Sequence, residues 1–106
     1  MDEIQRMLRE FNKERDWAQF HSPVNLANSV AIEAGELLEC FQWSDRYDKA
    51  KLSDEVADVM LYCLMLCDAA GLDPLEVMRN KIEKNKVKYP VDKARGSSKK
   101  YTELGE

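Results

Sequence analysis

The sequence predicts an all-α protein, a four-helix-bundle-type unit, and three observations carry that expectation. Apolar residues recur every three or four positions through most of the chain, the spacing that gives a helix one apolar face. No stretch alternates apolar and polar residues long enough to form a strand. Helix-starting and helix-stopping residues punctuate the pattern at intervals that leave room for four helices.

The first helix is expected over residues 2–16, where Ile4, Met7, Leu8 and Phe11 share one face. Residues 17–23 break that pattern, and Ser22-Pro23 favours an extended step or a helix start. A second helix should run from about Val24 to Trp43, with Leu26, Ala27, Val30, Ala34, Leu37, Leu38 and Phe41 as its apolar stripe. The polar string SDRYDKAK makes a connection. Ser53, followed by Asp54 and Glu55, suits the start of a third helix because acids stabilise its positive end. That helix reaches about Ala70 and stops at Gly71. Asp73-Pro74 supplies an N-cap and a first-turn proline for a fourth helix ending near Tyr89-Pro90. The last sixteen residues, 91–106, lack helical periodicity and read as a basic C-terminal arm on a single domain spanning 1–106.

Residues 59–67 read VMLYCLMLC, apolar on every side of the third helix. A helix apolar all round is buried all round, and four short helices in one layer can scarcely enclose it. A subunit interface along it is therefore expected, with Met60, Leu61, Leu64 and Met65 contributing, in a homodimer or tetramer.

With 106 residues, 44% of them hydrophobic and 34% charged, the chain can bury a core beneath a well-solvated surface. A net charge of −4 argues against nonspecific binding to nucleic acid or to an anionic membrane. Residues 1–80 hold sixteen acids and eight bases, whereas residues 81–100 hold eight bases and two acids. An acidic body with a basic C-terminal stretch suits a site gripping both metal cations and phosphates. Cys40, Cys63 and Cys67, an odd set without CxxC spacing, read as reduced core residues. The N-terminal residues are too charged for a secretory signal, so a cytoplasmic location is expected.

The chemistry lies in two acidic pairs. Glu33 and Glu36 on the second helix, and Glu55 and Asp58 on the third, are each spaced i, i+3 and so share a helix face. Glu33 is expected just beside the edge of the apolar stripe, with Glu36 further round. Glu55, Asp58 and Tyr62 fall within about 60° of one another at 100° per residue. If the helices pack side by side, four carboxylates converge, which is costly unless a cation neutralises them. All-oxygen ligation suits Mg²⁺ or Mn²⁺ and disfavours zinc. Magnesium commonly completes its shell with substrate phosphates, which points to phosphoryl chemistry.

The ExxE and ExxD pairs resemble the signature of the all-α nucleoside triphosphate pyrophosphohydrolases, the MazG/dCTP pyrophosphatase family. FNKERDWAQFHSPVNL, EAGELLECFQW, DEVADVMLYCL, KNKVKYP and KARGSSKKYTEL extend the resemblance over nearly the whole chain. It implies Glu33, Glu36, Glu55 and Asp58 as metal ligands, with Glu36 and Glu55 catalytic and Glu36 favoured as proton acceptor. The implied reaction is Mg²⁺-dependent attack of water on the α-phosphorus of a dNTP, giving dNMP and pyrophosphate. dCTP or modified dCTP is the leading substrate, in a nucleotide-pool house-cleaning role. A broad NTP or dUTP hydrolase and a non-catalytic helical interaction module are the rival readings. Trp17, Trp43 and Tyr62 match aromatic positions of the nucleoside pocket in relatives, while Lys81 and Asn85 match a family Lys-x-x-x-Asn pattern for phosphate and base or sugar edge. Arg95, with Lys99 and Lys100, is placed to close over the phosphates; His21, the only histidine, reads as structural or at the substrate's edge.

Overall fold

The computed structural model describes residues 1–96 and is all-α, with no strand among them. Helix α1 spans Asp2–Glu14, α2 Pro23–Glu39, α3 Lys49–Ala70, α4 Pro74–Lys88 and α5 Val91–Ala94. A 3₁₀ turn, Ala18–Phe20, lies between α1 and α2. Two compact units divide the chain, Met1–Asp73 and the segment from Pro74 onward.

Local chemistry explains most boundaries. The first helix gives way after Arg15 at Asp16, whose φ of 53° is left-handed, and the Trp17 N–H returns to the Asn12 carbonyl at 3.0 Å. The Ser22 hydroxyl accepts from the Asn25 N–H at 3.2 Å, and Pro23 occupies the first turn of α2. Regular helix stops at Glu39, short of Trp43, because the Cys40, Phe41 and Gln42 N–H groups bond three residues back. Helix α3 starts four residues before Ser53. The Asp48 carboxylate accepts from the Ala50 and Lys51 N–H groups at 2.9 and 3.4 Å, so the connecting string ends in a cap. At the other end Gly71 adopts φ 69°, while its N–H and that of Leu72 bond the Asp68 and Cys67 carbonyls.

In the first unit α2 lies along α3, and α1 rests more lightly on α3. Leu26, 1% exposed, and Leu64 are the buried large apolar side chains among the described residues. The rest of the expected α2 stripe is less covered: Ala34 is exposed, Leu38 is 71% exposed and Phe41 turns away to meet the Tyr47 ring edge-on at 5.3 Å. Helix α1 is turned contrary to its amphipathic pattern. Gln5 and Asn12 are its buried residues, whereas Ile4, Met7 and Phe11 are exposed. On α3 the apolar run is incompletely covered, with Met60 and Cys63 exposed, and Cys40 and Cys67 are only half-buried. Within the single chain Cys63 is therefore not a core residue, and Cys40 and Cys67 are only partly covered.

In the second unit α4 carries a Lys86–Glu83 ion pair at 2.9 Å, and Pro90 opens the single turn of α5 within the segment expected to be an arm. No helix of the described residues is long and apolar enough to cross a membrane.

Candidate metal and nucleotide site

Leu26, Val30, Glu33 and Leu37 follow steps of four, three and four residues along α2 and are all buried or half-buried. Glu33 thus sits within the face packed towards α3, not beside its edge. From α3, Glu55 and Asp58 meet it: one carboxylate oxygen of each of the three residues lies within 4.8 Å of the others. Glu36, one turn further along α2, is exposed and shares a hydrogen bond with the Glu33 carboxyl.

This proximity perturbs Glu33. Burial raises its pKa above the ordinary 4.5; the hydrogen bond that its protonated form donates to Glu36 and the charges of Glu36, Asp58 and Glu55 push it the same way. Glu33 therefore holds a proton more tightly than an ordinary carboxylate. The Oε2 atoms of Glu33 and Glu55 are buried and have no hydrogen-bond partner. Buried carboxylate oxygens left unpaired are rare in folded proteins, since each forfeits its hydration without replacement. A hard divalent cation matches what these atoms lack, because it is satisfied by oxygen ligands alone.

The aromatic residues separate. Tyr62, half-buried, stands one turn beyond Asp58 on α3. Trp17 is partly exposed after α1, its ring edge-on to Phe11 at 5.7 Å, with the Arg15 guanidinium 3.8 Å from the Phe11 centroid. Trp43 is 90% exposed in the turns after α2 and touches no other ring among the described residues. Lys81 and Asn85 lie on α4, in the second unit, where Lys88 and neighbouring lysines lower the Lys81 pKa by charge repulsion. Arg95 is exposed at the end of α5; Lys99 and Lys100 lie outside the described residues. The structure thus brings the acids and Tyr62 together on the α2–α3 pair.

Two features carried no sequence signal. Asn12 is buried with its Oδ1 unpaired, and Arg9 grips Asp68 on α3 through hydrogen bonds of 2.7 and 2.6 Å. A polar residue on a helix with a separate apolar stripe reads as solvated unless the packed face is known.

A family model described as MazG-like matches residues 29–104. The chain is 40% identical to dCTP pyrophosphatase 1 of Homo sapiens, over 98% of this chain and 67% of that protein. Identity to dCTP pyrophosphatase 1 of Mus musculus is 37% over the same shares. Among solved structures, a pyrophosphatase from Archaeoglobus fulgidus DSM 4304 is 44% identical and superposes with a TM-score of 0.79. That match covers 85% of this chain and 92% of the other.

Proposed function

Because the chain belongs to the MazG-like family and is a nucleotide pyrophosphohydrolase, we propose that it hydrolyses dNTPs, with dCTP or a modified dCTP as preferred substrate, using Mg²⁺. The observation that carries the metal is the pair of buried, unpartnered oxygens on Glu33 and Glu55 within one three-carboxylate cluster. The relatives named dCTP pyrophosphatase 1 support the substrate, through identity across nearly the whole chain.

In this reading Glu33, Glu55 and Asp58 hold the cation from the packed faces of α2 and α3, and Glu36 completes the set from the exposed side. Mn²⁺ fits the same oxygen donors. When bound, the cation supplies charge neutralisation for the triphosphate and acidifies a water. The oxygen of the attacking water forms a bond to the α-phosphorus as the bond to the bridging oxygen of the β-phosphate breaks. The products are dNMP and pyrophosphate. Glu36 is exposed and free to approach substrate, so it takes the proton from the attacking water. Tyr62 packs beside the nucleoside, one turn from Asp58. Lys81, Asn85 and Arg95 provide further contacts to phosphate and nucleoside, and Trp17 and Trp43 flank the base. Three unpaired cysteines suit a reducing, cytoplasmic setting.

A panel of natural and modified dNTPs and NTPs, assayed for pyrophosphate and phosphate separately with and without Mg²⁺, tests this. The expected result is pyrophosphate release led by dCTP or a modified form. Equal rates across all bases would establish the broad hydrolase instead, and phosphate release without pyrophosphate would refute attack at the α-phosphorus.

A further inference from the structure

A row of sulfur-bearing side chains runs along α3 outside the nucleotide site. Met60, Cys63 and Cys67 follow steps of three and four residues, so they stand one above another on a single face of the helix. Met60 is 57% exposed, Cys63 is exposed and Cys67 is half-buried. At 100° per residue this row is turned about 140° round the helix from Glu55, Asp58 and Tyr62. The reaction at the carboxylates makes no use of it.

Helical spacing governs what the two thiols can do together. Residues four apart on a helix have Cβ atoms about 5–6 Å from each other, whereas a disulfide needs about 3.5–4.5 Å. The pair cannot close on itself while the helix stays regular, and both cysteines are free. A gap too wide for a sulfur–sulfur bond has room for one ion bound to both sulfurs. Met60, one turn before Cys63, adds a thioether on the same face. Thiolate and thioether donors select soft ions such as Cu(I). Structural zinc takes four ligands, and among the described residues no further Cys, His, Asp or Glu joins these thiols in a ligand cluster.

The surroundings favour positive charge at this place. Burial raises the Cys67 pKa, and the charges of Cys63, Asp68 and Asp73 raise it further. Negative neighbours that disfavour a bare thiolate favour a cation standing where the proton was. The row also ends in the last turn of α3, at the negative end of the helix dipole.

We propose that Met60, Cys63 and Cys67 form a binding site for a soft monovalent cation of the Cu(I) type, separate from the carboxylate site. Each thiol gives up one proton as its sulfur takes the ion, so loading releases two protons and changes no oxidation state. The thioether ligates without losing a proton.

The test titrates the full chain, without oxygen and in excess Mg²⁺, against Cu(I) held by bicinchoninate, whose colour fades as the protein withdraws the ion. The native chain should withdraw about one equivalent, with Mg²⁺ leaving the affinity unchanged. Cys63→Ser and Cys67→Ser should each weaken binding by more than about a hundredfold, beyond the cost of losing an outer-shell partner, and Met60→Leu by less. Cys40→Ser, which changes the thiol at the end of α2, should bind as the native chain does. Circular dichroism checks that each variant keeps its helices. Failure of the native chain to withdraw Cu(I) would overturn the proposal, including failure because a second copy seals this face of α3. Retention of the ion by the doubly substituted Cys63→Ser, Cys67→Ser chain would overturn it as well. Loss of the ion in Glu55→Gln would place it at the carboxylates and refute the sulfur site, and native affinity in Met60→Leu would strike the thioether from the donor set.

Discussion

Replacing Glu33 by glutamine should have opposite effects on the metal-free and the metal-loaded protein. Glu33 lies in the packed face of α2, where burial, the Glu36 hydrogen bond and the charges of Glu36, Asp58 and Glu55 all raise its pKa above 4.5. The folded state therefore binds a proton more tightly than the unfolded chain does. The stability contributed by that proton is complete below the unfolded value and is lost as pH rises through the folded value. Above the folded value, in the absence of metal, the native protein has lost that contribution. Glu33→Gln keeps the shape, removes one of the converging charges and should stabilise the metal-free protein by about 1 kcal/mol, the size of one relieved buried polar group. For a domain of this size that is a rise in Tm of roughly 4–8 °C. Mg²⁺ at a hundred times its Kd would stabilise the native protein by about 2.7 kcal/mol, or roughly 10–20 °C by the same conversion. The variant, lacking a ligand, should lose most of that response, so the order of the two melting temperatures inverts on adding Mg²⁺. Melting followed by circular dichroism at fixed protein concentration, in EDTA and in Mg²⁺ from pH 5 to 8, reads all of this. A variant less stable than native in EDTA at pH 7.5, with its Mg²⁺ response intact, would refute the assignment of Glu33.

Excess EDTA should abolish pyrophosphate release and Mg²⁺ or Mn²⁺ should restore it; full activity in EDTA would sink the metal reading. Glu55→Gln and Asp58→Asn should each cost well over tenfold in kcat, more than about 1.4 kcal/mol of transition-state stabilisation, with helical circular dichroism unchanged. A variant retaining more than about a tenth of the native rate would show that its residue is not a ligand. The chain should form a homodimer or tetramer through α3, and Met60→Asp should dissociate or unfold it, as read by light scattering at micromolar concentration. A stable, active monomer of 12.3 kDa would refute that interface.

Sequence periodicity located the helices because a helix needs only local agreement among neighbouring residues, and Pro23, Gly71 and Pro74 mark turns that chemistry makes nearly obligatory. Boundaries failed where two signals competed. Asp48 and Ser53 are both competent caps, and the Lys49–Leu52 stretch between them favours helix, so the earlier cap prevails. The acidic pairs were legible because i, i+3 spacing fixes a shared face. Their depth was not, since burial of Glu33 depends on which side of α2 meets α3. Asn12 was invisible for the same reason, as the packed side of α1 carries Gln5 and Asn12 beside the half-buried Leu8.

That inversion on α1 bears on both the interface and the site. A helix that buries Gln5 and Asn12 while exposing Ile4, Met7 and Phe11 forgoes apolar burial on its inner side. At about 25 cal/mol per Å² of apolar surface, such an arrangement is sustained only when the outward residues are covered elsewhere or the inward ones serve a ligand. On α3, Leu64 is already buried within its own chain, which removes it from the expected interface set and leaves Met60, 57% exposed, as its strongest member. The apolar surface of α1 and α3 and the unpaired oxygens of Asn12, Glu33 and Glu55 are thus complementary departures from a self-sufficient core. The first would gain its missing burial by association, and the carboxylate oxygens their missing partner from a bound cation. A stripped single chain should accordingly be the least stable form of the protein, with association and ligand loading each raising its melting temperature.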